Sequence, residues 1–196
     1  MDDRNFIRKY VKADSKQKVD IIFRHYSDFM GIIDGYTEGL RYMIECEKDY
    51  NHRAAKGDLG VRVQRGGSIS DPTAAAAIRK VMTIEALINC DFSGDVLEDV
   101  DHAEEYMKDA YVLRSMRSDY ALFTGQLAIL GDKRDFFEKY LRGEINLMEY
   151  ATQSGIAYET AKQKTYNIRN RIRTQVVGFM DKKMGGIGLF RDILRE

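Results

Sequence analysis

The stretch MEYATQSGIAYETAKQKTYNIRNRIR, Met148–Arg173, decides how this chain is read. Ala151 is small where a second helix has to cross the first closely, and Gly155, four residues on, supplies a turn of positive φ. Ile156 follows as an apolar plug between the two helices. Ala161, Thr165, Ile168, Ile172 and Val176 then recur at spacings of four, three, four and four, which places them on one buried helix face. The opposite face carries Tyr158, Glu159, Lys162, Gln163, Tyr166 and Arg169, with Arg171 and Arg173 just beyond. The pattern predicts a helix-turn-helix whose second helix presents a donor-rich ridge of a width that fits the major groove of double-stranded DNA. A plain amphipathic hairpin with a solvated basic face is the structural alternative. Two positions depart from the motif: Ala157 has no side-chain acceptor to cap the second helix, and Thr165 stands where a larger aliphatic residue is expected.

Outward from this segment, the composition predicts an all-α protein. One proline interrupts 196 residues, β-branched alternation is nearly absent, and 44% hydrophobic residues suffice for a sizeable core. No apolar run reaches the roughly 18 residues that suggest a membrane span, and MDDRNFIRKY lacks the apolar centre of a secretory signal. The expectation is a cytoplasmic protein with no membrane partner. Cys46 and Cys90 are the only cysteines, with no second pair to build a zinc site, and read as reduced core thiols. The formal charge of zero hides a segregation. Asp91–Asp109 holds eight acids against Lys108 alone, whereas Ala151–Lys183 holds seven basic residues against Glu159 and Asp181. The carboxyl end is thus the end suited to a polyanion. The acidic segment reads as a solvated face, or as a mask for the basic helix.

The expected organisation is a long helical hairpin or bundle over residues 1–115, a dimerising region in that its long helices offer an apolar surface for pairing. A helix-turn-helix domain over 116–183 and a flexible tail with a short amphipathic turn over 184–196 follow. Ser15 is the expected cap of a helical pattern from Val19 to Tyr50, unbroken or interrupted near Gly31 and Gly35. Glycine-rich Ala55–Ser70 reads as a loop. Asp71 then caps a helix that starts at Pro72 and is expected to lie antiparallel to the first long one. Val96, Leu97, Val100, Ala103, Met107 and Leu113 suit a further amphipathic helix, with Tyr120–Leu130 and Phe136–Leu141 marking two more before the helix-turn-helix.

GIAYETAKQKTYNIRNRIR aligns without a gap on the second half of sigma-factor region 4 and of the related LuxR-type helix-turn-helix, with Thr160-Ala161-Lys162 where those families carry Thr-Val-Lys. Together with the preceding amphipathic helix and the loop RVQRGGSISDPTAAAAI, the arrangement resembles the RinA/ArpU group of phage and prophage transcription regulators. The likeness is architectural over about Tyr36–Val177 and residue by residue only around Arg65–Thr73 and Ala151–Ile172. It implies a sequence-specific regulator of late or mobile-element genes that acts at promoters, with RNA polymerase as a further partner.

Within such a helix, Tyr158, Glu159, Lys162, Gln163 and Tyr166 are the candidate base contacts, Lys toward guanine and Gln toward adenine. Thr160, Lys164, Arg169, Arg171 and Arg173 are the candidate phosphate contacts, which fix register without reading sequence. A homodimer is expected because one helix-turn-helix covers only a few base pairs. No catalytic residue, cofactor or metal is expected. His25, His52 and His102 are scattered, and adjacent acids around His102 point in different directions on a helix. The loop Gly57–Gly67 lacks the Lys-Ser/Thr ending of a phosphate-binding loop. The alternatives are a protein-interaction adaptor that binds RNA polymerase or a phage or host protein through its long helices, and a DNA-packaging component of the small-terminase kind.

Overall fold

The computed structural model describes residues 3–55 and 72–186, and every regular element among them is helical. In chain order these are α1 (Asp3–Lys12), α2 (Ser15–Arg24), α3 (Phe29–Ala55), α4 (Pro72–Asn89), α5 (Ala103–Leu127), α6 (Arg134–Leu141), α7 (Leu147–Gln153) and α8 (Tyr158–Gly186). Short 3-10 turns occupy Asp95–Leu97 and Ala128–Lys133. No described helix is long and apolar enough to cross a membrane.

The chain forms two compact units, and their composition corrects the expected boundaries. One unit joins Met1–Met30 to Ser118–Glu196, and the other is Gly31–Arg117. The first thirty residues therefore do not belong with the long hairpin assigned to 1–115; they fold with the chain that follows Ser118. The reason is the apolar face of α1 and α2. Phe6, Tyr10, Val19, Ile22 and Phe23 are buried; Phe6 and Tyr10 meet Phe29, and Phe23 and Phe29 in turn meet rings from beyond Ser118. Phe23 meets Phe123 edge-on at 4.8 Å between centroids and Phe137 at 6.4 Å, while Phe29 stacks on Tyr120 at 5.3 Å. The Tyr10 hydroxyl donates to buried Asp119 at 3.1 Å, and the Tyr120 hydroxyl donates to the carbonyl of Tyr26 at 3.0 Å.

Local details also differ from the sequence reading. Asp14, not Ser15, caps α2: its carboxylate accepts from the Gln17 amide at 2.7 Å, and the Gln17 side chain accepts in return from the Asp14 amide at 3.1 Å. The long helical pattern breaks at His25–Asp28, before Phe29 enters the aromatic cluster, and Gly31 and Gly35 lie inside α3. Asp91–Val100 contributes only a 3-10 turn, so the acidic helix starts at Ala103 and continues as α5 through Tyr120 to Leu127. Helix α8 carries on past Met180 through Gly185 and Gly186, where loosening was expected. The Asp71 cap, the loop 56–70 and the tail 187–196 lie outside the described residues.

In the second unit α3 runs antiparallel to α5, and α4 meets α3 through the Lys80–Glu38 pair at 3.8 Å. Glu47 bonds Tyr106 at 2.8 Å, whereas Arg117 pairs with Asp34 at 2.8 Å and donates to Thr37 at 2.9 Å, so positions rise on one helix as they fall on the other. Ile33, Thr37, Leu40, Ile44, Ala110, Leu113 and Met116 are buried on the parts of these helices that belong to this unit. Among the described side chains of α4, Thr83, Ala86 and Leu87 toward its end are buried, and Arg114 closes that end by donating to the Asn89 carbonyl at 2.8 Å. Cys46, expected in the core, is exposed.

The start of α5 is held by a carboxylate from α3. Glu47 Oε1 accepts from the backbone amides of Asp101 at 2.7 Å and His102 at 3.0 Å and meets His102 Nδ1 at 2.9 Å. Anionic charge is favoured at a helix N-terminus, where amides lack intrahelical partners. Desolvation pushes the Glu47 carboxyl up, but the hydrogen bonds from Tyr106, the His102 ring and the two amides together carry it down to about 2. The bond to Glu47, and then its charge, raise His102 above its ordinary value.

The lowered Glu47 contributes stability above the ordinary carboxyl range that is lost as pH falls through about 2. The raised His102 contributes stability below its ordinary value that is lost as pH rises through its folded value. The melting-temperature difference between wild type and Glu47→Gln is therefore expected to be largest between about pH 4.3 and 6.5 and to shrink on either side. A difference independent of pH across a melting series refutes the charged node.

Candidate nucleic-acid interface

Two reciprocal devices set the hairpin α7–α8. At the start of α7, Asn146 Oδ1 accepts from the amides of Met148 and Glu149, both at 2.9 Å, and the Glu149 carboxylate accepts from the Asn146 amide at 2.9 Å. At its end, Gly155 has φ +62, a conformation that costs a residue with a Cβ about 1–2 kcal/mol. The amide of Ile156 then closes back onto the Ala151 carbonyl at 3.0 Å. α7 packs on α8, with Ala151 and Ala161 both buried, and Ile156 is half-buried at the turn.

The inner face of α8 follows the spacing read from the sequence: Ala161, Thr165, Ile168, Ile172 and Val176 are buried, and Met180 extends the row. Thr165 resolves its own anomaly. Its hydroxyl donates to the Ala161 carbonyl at 2.9 Å, so the buried oxygen is satisfied within the helix.

The ten candidate contacts separate into three groups. Glu159, Lys162, Gln163 and Tyr166 are exposed at spacings of three, one and three, which gathers them on one strip with Tyr158 at its head. Lys162 Nζ lies 3.8 Å from Glu159, a solvent-exposed pair of little energetic weight, and Gln163 donates to Asn167 at 2.9 Å. Thr160, Lys164 and Arg171 are exposed on a second strip beside the first, at spacings of four and seven.

Arg169 and Arg173 form the third group and do not stand on the outer face. α2 packs along α8 and claims both. The Arg169 guanidinium lies over the Phe23 ring at 4.7 Å, a cation–π contact, with its Nε buried and without a hydrogen-bond partner. Arg173 donates through both Nε and Nη2 to Asp20 Oδ1 and through Nη1 to Asn170 at 3.2 Å. Their positive charge is spent inside the unit. The outward polar side chains of α8 accordingly gather on its first three turns, Tyr158 to Asn167, about 15 Å of helix, with Arg171 exposed one turn further on.

Asp20 and Phe23 are positioning residues that the sequence does not mark. The apolar spacing of Val19, Ile22 and Phe23 says that α2 buries a face, and nothing in it says against which helix. The acids and histidine around His102 serve the Glu47 network, and no group of three or more His, Cys, Asp or Glu residues suited to a metal ion occurs among the described residues. A depression beside the start of α7 and α8, lined by Tyr140, Ile145, Leu147, Met148 and Tyr158, contains no acid–base pair. Comparison of the chain with protein-family models, curated proteins and solved structures finds no match.

The Asp20–Arg173 pair is half-sheltered, at 34% and 25% side-chain exposure, so a double-mutant cycle of Asp20→Ala and Arg173→Ala is expected to return a coupling of about 1 kcal/mol. Additive unfolding free energies would show that α2 and α8 are held by packing alone.

Proposed function

We propose that this chain is a sequence-specific regulator of transcription that lays the first turns of α8 in the major groove of double-stranded DNA. The observation that carries this reading is the division of α8. Its first three turns present two adjacent strips of outward polar side chains, and of its later basic residues Arg169 and Arg173 are tied back to α2 while Arg171 continues the second strip. Recognition helices of helix-turn-helix proteins insert their N-terminal residues and leave the remainder as scaffold. Tyr158, Glu159, Lys162, Gln163 and Tyr166 face base edges in this reading, while Thr160, Lys164 and Arg171 take phosphates. Arg169 and Arg173 hold the helix to its support instead of touching DNA. The absence of a side-chain acceptor at Ala157 leaves the first amides of α8 without that competitor for a phosphate oxygen.

The resemblance of the motif to sigma-factor region 4 and to RinA/ArpU-type phage regulators extends the proposal to promoter DNA of mobile-element genes, with RNA polymerase as a second partner. Two copies on adjacent half-sites would supply the length of site that one helix does not reach.

The test is binding of the purified chain to its own upstream DNA and to unrelated DNA of equal length across a salt series. Site-selective binding above a salt-sensitive background is expected. Lys162→Ala is expected to cost about 1–3 kcal/mol at the selected site and to relax base preference there. Arg171→Ala and Lys164→Ala are each expected to weaken all DNA alike and to reduce the salt slope by about one. Arg173→Ala lowers the melting temperature without that change of slope. Weak, equal binding to both DNAs would remove the regulator reading and favour a protein-binding adaptor.

A further inference from the structure

We infer that the outer face of the helix pair α1 and α2 takes the phosphate backbone of the duplex whose bases α8 reads, with Arg24, Arg8, Lys9 and Lys12 as the contacts. The inference rests on the DNA reading of α8. Within α1, Phe6 and Tyr10 are buried, and Arg8 and Lys12, two residues beyond each, point the opposite way with Lys9 beside them. On α2 the exposed residues are Lys16, Gln17 and Arg24. The two helices thus expose Arg8, Lys9, Lys12, Lys16 and Arg24 together.

The acids that could neutralise them are engaged elsewhere. Asp14 accepts from the Gln17 amide at the start of α2, Asp20 holds Arg173, and Asp28 meets His25 Nδ1 at 3.3 Å. None of those five cations takes part in an ion pair among the described residues. A basic face that is merely solvated ordinarily intersperses both signs. The DNA reading also needs more cations than α8 supplies, since it leaves that helix Lys164 and Arg171 as its cationic phosphate contacts. Proteins that hold ~6–10 phosphates draw much of their affinity from the counterions those contacts release. Arg8, Lys9, Lys12 and Arg24 stand in the same compact unit as α8 and make up the difference.

The packing of α2 joins the two surfaces. Asp20 and Phe23 turn toward α8, whereas Lys18 and the His25 that ends the helix lie on the opposite side and meet Tyr10 and Phe6 of α1. α2 therefore lies between α1 and α8. Its inner side buries Val19 and Ile22, and its outer side carries Gln17 and Arg24. Asp20 opposes Arg173 and Phe23 opposes Arg169, so α2 runs antiparallel to α8 and ends at Arg24, level with the turn of α8 that holds Tyr166 and Arg169. Tyr166 and Lys162 precede Arg169 by three and seven residues, so the base-facing strip continues the side of α8 that α2 covers, just past the end of α2. The Phe6–His25 contact brings the start of α1 to that same end. A duplex seated on the first turns of α8 thus has Arg24 at its edge and Arg8, Lys9 and Lys12 along its flank.

The test compares the full wild-type chain with Arg24→Gln and with Arg8→Gln/Lys9→Gln/Lys12→Gln, each titrated with the chain's own upstream DNA and with unrelated DNA across a salt series. The single change is expected to reduce the slope of log K against log salt by about one, and the triple change by about two to three. Both losses are expected to be equal on the two DNAs, because phosphate contacts carry no sequence information. Neither variant is expected to lower the melting temperature, since the substituted side chains are exposed. Site-selective binding by wild type with unchanged slopes in both variants overturns the phosphate face and leaves the reading of α8 standing, whereas a wild type that binds no DNA overturns both. Tighter DNA binding by the variants overturns it in favour of a basic face that covers an acidic surface of the chain, and a fall in melting temperature that accounts for the lost binding overturns it in favour of a structural role.

Discussion

The unit that carries the hairpin depends on one side chain, Phe23. From α2 it reaches Phe123 on α5, Phe137 on α6 and the Arg169 guanidinium on α8. Three helices that are distant in sequence thus share one ring as a common wall. An aromatic ring suits this place because its edge and face offer opposite partial charges, so two rings and a cation are accommodated without any hydrogen bond. Asp20, one turn before it, adds the directional part by fixing Arg173. Apolar contact sets the distance between α2 and α8, and the ion pair sets their register along each other.

That bracing determines which part of α8 is available. A helix of 29 residues would offer basic side chains along its whole length if it stood alone. Support from Arg169 onward confines free polar chemistry to the opening turns, adjoining the turn at Gly155. The hairpin is stiff at both joints, through the reciprocal Asn146–Glu149 cap and the left-handed glycine, so the orientation of those turns follows the body of the unit. Position, more than charge, is what the scaffold contributes; the free strips hold few cations.

What was legible in the sequence was local. The spacing of Ala161, Thr165, Ile168, Ile172 and Val176 gave the buried face of α8, and Gly155 gave the turn, because each is dictated by neighbours within one or two turns. The caps at Asp14 and Asn146 are legible as Asp-x-x-Gln and Asn-x-x-Glu, the first of them one residue before the expected cap at Ser15. Illegible were the contacts between distant segments. Arg169 and Arg173 carry the same charge as Arg171, and only the location of α2 separates the half-buried pair from the exposed residue. Glu47 is likewise one acid among many on α3 until the amides of Asp101 and His102 come to it from 54 and 55 residues away. The antiparallel packing of α5 on α3 is illegible for the same reason, since Arg117 and Asp34 are 83 positions apart in the chain.

The joining of the first thirty residues to the last eighty makes assembly run against synthesis. Asp20 and Arg173 are 153 residues apart, so at a ribosomal rate of about 5–20 residues per second α2 waits roughly 8–30 s for α8 to be made. Through that interval Val19, Ile22 and Phe23 have no α8 to cover them, while all of Gly31–Arg117 has already been made. Any compaction of that intervening segment shortens the loop between the two ends and lowers the entropy cost of bringing them together. The order of segments along the chain thus ties the covering of α2 to the last part synthesised.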